Sequence, residues 1–239
     1  MRGCGLAGIG VALLASIAAV VPLSSLARGQ DAAPEVRMEA SAAVVTWGDA
    51  IRFTGTVSSP EAPECHAGVE VMLEMDAHDD RTHWTEVARA RTDENGAFVA
   101  DVRAEEPANY RMTTVPEEGS GCDAGVAAGG EVMVRFKVTL ERSSLVVDKG
   151  EEVRLTVRVE PFCPVGGPSF DVRKIPLYEL RGERFVRVAA KRDANDCTVT
   201  FTRKVRGLSV FMSKVRDNEE LNARHLGGRS AEVAVTVRN

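Results

Sequence analysis

Apolar residues recur at every second position over much of the chain. In Val153-Arg154-Leu155-Thr156-Val157-Arg158-Val159 each apolar side chain alternates with Arg or Thr. An extended chain of that pattern buries one face and solvates the other. The same period runs through Val69 to Met75, Phe98 to Val102 and Val132 to Val138, and it predicts half-buried strands. Thr92-Asp93-Glu94-Asn95-Gly96-Ala97-Phe98 predicts a hairpin, with Asn-Gly able to adopt positive φ between two alternating runs. Asn218 to Leu226, the best stretch for helical spacing, is short and closed by Gly227-Gly228, so it reads as loop or one turn. About seven short, mostly antiparallel strands per hundred residues predict an all-β fold of sandwiches.

The chain also repeats itself at an offset near 101 residues. Gly48-Asp49-Ala50-Ile51-Arg52-Phe53-Thr54 matches Gly150-Glu151-Glu152-Val153-Arg154-Leu155-Thr156. Val87-Ala88-Arg89-Ala90 matches Val188-Ala189-Ala190-Lys191, Tyr110 matches Phe211, and Glu131 to Val134 match Glu232 to Val235. The predicted organisation is a short lead at 28–35, a first unit at 36–138 and a second at 139–239. The boundary near Val138 and Thr139 leaves almost no linker, which predicts a stiff, elongated pair.

The N-terminus predicts an export signal. Arg2 precedes an uncharged apolar run, Leu6 to Val21, which Pro22 breaks ahead of Ser25-Leu26-Ala27, small residues suited to cleavage after Ala27. The competing reading is a retained anchor, but 16 residues rich in Ala and Gly fall short of the roughly 20 that span a bilayer. No later segment spans a membrane by this criterion. Cleavage leaves Cys65, Cys122, Cys163 and Cys197, an even set in an exported chain, which predicts disulfides. Four cysteines allow three pairings, and two per repeat favours Cys65 with Cys122 and Cys163 with Cys197. A four-Cys zinc site needs close Cys pairs that this chain lacks.

Gly48 to Val57, then Ala67-Gly68-Val69-Glu70-Val71, then the hairpin Thr92 to Phe98 and Tyr110-Arg111 together resemble the bacterial Ig-like domains of exported surface proteins. The resemblance covers most of the first unit and, more weakly, the second. It implies two tandem immunoglobulin-like antiparallel β-sandwiches and no shared active site. The chain departs from antibody-type domains: Trp84 stands 19 residues after Cys65, and no Tyr stands two residues before Cys122. At the repeat offset Cys197 falls opposite Gly96 and Cys122 opposite Ala223, so the two crosslinks are not equivalent.

Composition narrows the chemistry. With 30 Lys and Arg against 35 Asp and Glu, the net charge is −5, too acidic overall for a protein whose main partner is a nucleic acid. No G-x-S-x-G, phosphate loop, G-x-G-x-x-G or H-E-x-x-H occurs, and no cofactor or metal is implied. Asp76, His78 and Asp80, with Asp79 and His83 beside them, have metal-ligand chemistry, but the run reads more simply as a solvated connection. Trp47 and Trp84 suit sugar stacking, but core or edge packing explains them as well.

Charge is unevenly divided. Residues 36–138 hold 9 basic and 19 acidic side chains, net −10, and residues 139–239 hold 19 basic and 14 acidic, net +5. The candidate binding residues are Arg173, Lys174, Arg184, Arg187, Lys191 and Arg192, with Trp84 as a separate candidate. The bland reading makes the cations the outward residues of amphipathic strands. If they converge, they attract an extracellular acidic protein or an anionic cell-surface polymer. The loops Glu61 to Gly68, Glu117 to Gly130 and Phe162 to Phe170 are further contact candidates. The expected role is an exported, non-enzymatic binding, adhesion or spacer module at the bacterial cell exterior. The alternatives are a carbohydrate-binding or cell-wall-associated accessory protein and, less favoured, a small secreted hydrolase.

Overall fold

The computed structural model describes residues 33–77, 81–161, 174–192, 196–217 and 224–238. The predicted signal, Cys163, Arg173, His78 with Asp79 and Asp80, the loop Phe162 to Phe170 and most of Asn218 to Leu226 lie outside the described residues. Sixteen strands follow one another: β1 (Glu35–Ala40), β2 (Val44–Thr46), β3 (Ala50–Ser58), β4 (Glu70–Asp76), β5 (Thr85–Arg91), β6 (Ala97–Arg103), β7 (Ala108–Val115) and β8 (Val126–Arg135), then β9 (Lys137–Arg142), β10 (Val146–Asp148), β11 (Glu152–Glu160), β12 (Lys174–Arg181), β13 (Arg184–Arg192), β14 (Thr198–Lys204), β15 (Ser209–Met212) and β16 (Val233–Arg238). Among the described residues a 3-10 turn, Pro63–Cys65, interrupts them. Among the described residues no helix is long and apolar enough to cross a membrane.

The second eight strands reproduce the first eight. β1-β3-β6 and β2-β8-β7-β4-β5 form the first two sheets, and β9-β11-β14 and β10-β16-β15-β12-β13 form the second two in the same order. Each small sheet packs on its large partner around a separate core. Ile51, Phe53, Leu73, Tyr110, Met112 and Val134 lie in the first, and Leu155, Val157, Leu177, Phe201, Phe211 and Val235 in the second. These are the apolar halves of the period-two runs, so the pattern is satisfied strand by strand. The rings of Phe53 and Tyr110 meet at 4.7 Å, and burial pushes the Tyr110 phenol up to about 12.

The repeat holds in detail. Gly48 and Gly150 both take positive φ, 79° and 88°, in the turn that enters the first long strand. Their N–H groups donate to Ala104 and Val205 carbonyls at 2.8 Å in each case. Ser41 and Ser143 Oγ accept from the N–H groups of Arg52 and Arg154. The β4–β5 ladder bulges after Leu73, and the β12–β13 ladder bulges after Leu177.

Two details refine the sequence reading. The ladders are mostly antiparallel, as expected, and include two short parallel pairs, β2 with β8 and β10 with β16. In each case the chain leaves the small sheet and joins the edge of the large one without reversing direction. The run Val132 to Val138 is also two strands rather than one. Phe136 lies between β8 and β9, only 1% exposed and part of the second core, and its N–H donates to Leu226 at 3.0 Å.

The junction is filled by residues 224–228. Leu226 donates its N–H to Val134 at 2.8 Å. The His225 ring, 2% exposed, stacks on Phe136 at 5.2 Å, and its Nε2 donates to the Glu105 carbonyl at 3.1 Å. Gly228 lies so close that a Cβ there would stand 2.1 Å from the Phe136 carbonyl oxygen.

Candidate binding surfaces

On the first sandwich, core-facing Val71 and Leu73 turn Glu70, Met72 and Glu74 outward. Glu74 is nevertheless buried, 7% exposed. Arg111 grips its carboxylate with Nε at 2.7 Å and Nη2 at 3.0 Å, and Thr113 Oγ1 donates at 2.9 Å. The Arg111 hydrogen bond holds the Glu74 carboxyl below its ordinary range, against the opposing effect of burial. The same guanidinium lies 4.3 Å above the Trp84 ring, and the indole N–H donates to the Arg81 carbonyl at 2.7 Å. Arg89 bridges Glu86 and Glu70 beside this group. The face is therefore charged but internally neutralised.

The corresponding face of the second sandwich has a different character. Ile175 and Leu177 enter the core, which turns Lys174, Pro176, Tyr178 and Leu180 outward on β12. Their register partners on β13 are Arg192, Ala190, Arg187 and Phe185. No carboxylate stands among these eight residues, and among the described residues Lys174 and Arg187 make no ion pair. Arg229 lies 5.6 Å from the Phe185 ring and binds Glu232 at 2.6 Å. Where the first sandwich sets Glu74 against Arg111, the second sets Tyr178 against Met212.

The end of the first sandwich remote from the junction is stapled. Cys65 and Cys122 form a disulfide with a Cα separation of 5.5 Å, joining the β3–β4 and β7–β8 loops. Thr92 ties in the hairpin: its Oγ1 donates to the His66 carbonyl at 2.6 Å and accepts the Val69 N–H at 2.8 Å. A shallow depression of about 480 Å³ opens between Ala67, Gly68, Thr92, Asp93, Glu94 and Asn95.

The sequence candidates are thus divided among several places. Lys174 and Arg192 are cross-strand partners, with Arg187 farther along the same face. Arg184 faces Arg181 beside the β12–β13 turn, at the end of the second sandwich remote from the junction. Lys191 is turned away: it donates to the Thr200 carbonyl and lies 5.6 Å from the Phe201 ring, covering the gap between β13 and β14. Trp84 belongs to the other sandwich, under Arg111, and Trp47 packs against the first core. Tyr178, Phe185 and Arg229 were not singled out from sequence. Phe185 stands at the Trp84 position of the repeat, 101 residues on, and that offset was the available signal.

Cys197 is disulfide-bonded, with its partner outside the described residues. The second loop candidate, Glu117 to Gly130, is shorter than expected, because β8 already begins at Val126. His66, His83 and His225 lie in the β3–β4 loop, the β4–β5 connection and the junction. The Asp76 carboxylate, 0% exposed, accepts the His83 N–H at 2.9 Å. Among the described residues no three His, Cys, Asp or Glu side chains gather as a metal site would require.

The fold is that of a tandem β-sandwich protein, two sandwiches with the same strand order. No family model and no curated protein matches the chain. Among solved structures it is similar to FdeC, an Escherichia coli adhesin, at 11% identity and a TM-score of 0.34, over 87% of this chain and 65% of that one. It is also similar to the Yersinia pseudotuberculosis adhesin InvE at 13% identity and a TM-score of 0.30, over 84% of this chain and 58% of that one. The chain thus spans less than two thirds of either adhesin, and likeness this remote identifies neither partner nor site.

Proposed function

We propose that this protein is an exported, non-catalytic binding module, two Ig-like units at 36–138 and 139–239, working outside the cell after loss of residues 1–27. Its partner is an extracellular acidic protein or an anionic cell-surface polymer, held on the outer face of β12 and β13. One observation carries the reading. Lys174 and Arg187 share a face with Tyr178 and Phe185, and no carboxylate stands among the outward residues of β12 and β13 there, whereas the matching face of the first sandwich pairs Arg89 and Arg111 with carboxylates. Cations beside aromatic rings attract polyanions at long range and pack against them at short range.

The test is retention of the exported protein on an immobilised sulfated polysaccharide, with neutral dextran as control. Retention should weaken steeply as salt rises, and Arg187→Glu with Lys174→Glu should abolish it while leaving the fold intact. Equal retention on dextran, or binding indifferent to salt and to both substitutions, overturns the proposal.

A further inference from the structure

We infer that the protein associates with further copies of itself head to tail, through the two ends remote from the junction. This surface is separate from the β12–β13 face. Strand directions place residues 59–69, 92–96 and 116–125 together at the far end of the first sandwich. Those three loops carry seven Asp and Glu and no Lys or Arg. Glu64, Glu94 and Glu118 are exposed there and make no ion pair among the described residues.

The far end of the second sandwich has the opposite sign. Residues 142–151, 181–184 and 204–208 hold six Lys and Arg against three Asp and Glu. Lys149, Arg184, Lys204 and Arg206 are exposed and make no ion pair among the described residues. At the tip of this end Leu208 is 71% exposed, more than any other large apolar side chain described, and Arg206 and Gly207 immediately precede it.

The acidic end supplies the complement. Its shallow depression is lined by Ala67, Gly68, Asp93 and Glu94 among others. This open depression can receive a leucine side chain whose neighbouring arginine meets the Asp93 and Glu94 carboxylates. Charge draws the ends together, but it is screened beyond roughly 8 Å at physiological salt. Burying Leu208 supplies the short-range attraction.

A second copy is the occupant this arrangement fits, because protrusion and depression, cation and anion, belong to one chain. Both sandwiches separate the two ends, so a chain cannot satisfy itself. The contact joins unlike surfaces, and each added copy leaves one end of each kind open, which gives a growing chain rather than a closed dimer.

Sedimentation velocity on the exported protein tests this. At low salt the mass should rise with concentration past the dimer, and salt should return it to monomer. Leu208→Asp, which disables only the cationic end, and Glu94→Arg, which disables only the acidic end, should each weaken association at least about tenfold. Both residues are exposed, so thermal unfolding of either variant should match the parent. Mixed in equal amounts, the two variants should form a one-to-one dimer that grows no further. A parent that stays monomeric at high concentration and low salt overturns the inference, as does a dimer that stops at two or one that both variants leave unchanged.

Discussion

Gly96 and Cys197 occupy the same position of the same turn in the two sandwiches. Their φ angles are 75° and 57°, and their carbonyls accept the N–H groups of Val57 at 2.8 Å and Val159 at 3.0 Å. Glycine takes a left-handed conformation freely, whereas a residue with a Cβ loses about 1 kcal/mol or more. In the second sandwich that position is crosslinked, so a side chain stands where the turn prefers none. Cys197→Gly and Cys197→Ala both remove the disulfide, but only the first relieves the backbone. The glycine variant is expected to melt a few degrees above the alanine variant, about 1 kcal/mol apart. Differential scanning calorimetry decides this, and the reverse order would show that the backbone at 197 carries no strain.

The Glu74–Arg111 pair sets a pH dependence. Because the folded carboxyl is held below its ordinary range, the folded state binds that proton less readily than the unfolded chain does. The pair therefore contributes fully above the unfolded value, about 4.3, and is lost as pH falls through the lower folded value. Arg111→Ala leaves a buried carboxylate with Thr113 as its remaining side-chain donor, and should destabilise the protein by about 2 kcal/mol at neutral pH. Urea titrations at stepped pH should show that deficit shrinking in acid, and a deficit constant across the range would rule out the linkage.

Gly228 leaves no room for a methyl group beside the Phe136 carbonyl. Gly228→Ala must displace backbone at the junction and should cost about 1–3 kcal/mol. The displaced segment carries His225 and with it the hydrogen bond to Glu105, so the loss should fall on the coupling between sandwiches. Thermal scans should broaden or split relative to the parent. An unchanged scan would mean that the junction contributes nothing to cooperativity.

Tyr110 and Phe53 share the first core, so Tyr110→Ala is expected to remove about 3–5 kcal/mol, whereas Tyr178→Ala on the outer face should cost under 1 kcal/mol. Chemical denaturation of the two variants side by side measures this, and comparable losses would contradict the assignment of inner and outer faces.

Much of the fold was legible because its driving pattern is local. Leu155 and Val157 alternate with Arg154, Thr156 and Arg158 over a distance of a few residues, and burial follows the same alternation. The repeat was equally visible, since Gly48 and Gly150 mark the same turn. The parallel pairing of β2 and β10 was not legible, because three-residue strands carry too few positions to reveal a period. Lys191 was read with its neighbours as part of a cationic group, yet on an edge strand its side chain folds over toward Phe201. Nor did the sequence show that the arginines of the first sandwich are neutralised. Arg111 and Glu74 stand 37 residues apart, and only sheet register brings them together.

The parallel lead strands have a mechanical consequence. β2 and β8 run in one direction, as do β10 and β16, while the chain enters and leaves each sandwich at opposite ends. Tension applied along the polypeptide thus slides these strands past each other and strains every bond of the pair at once, instead of peeling them singly. A body built this way resists pulling better than its modest number of paired residues would imply.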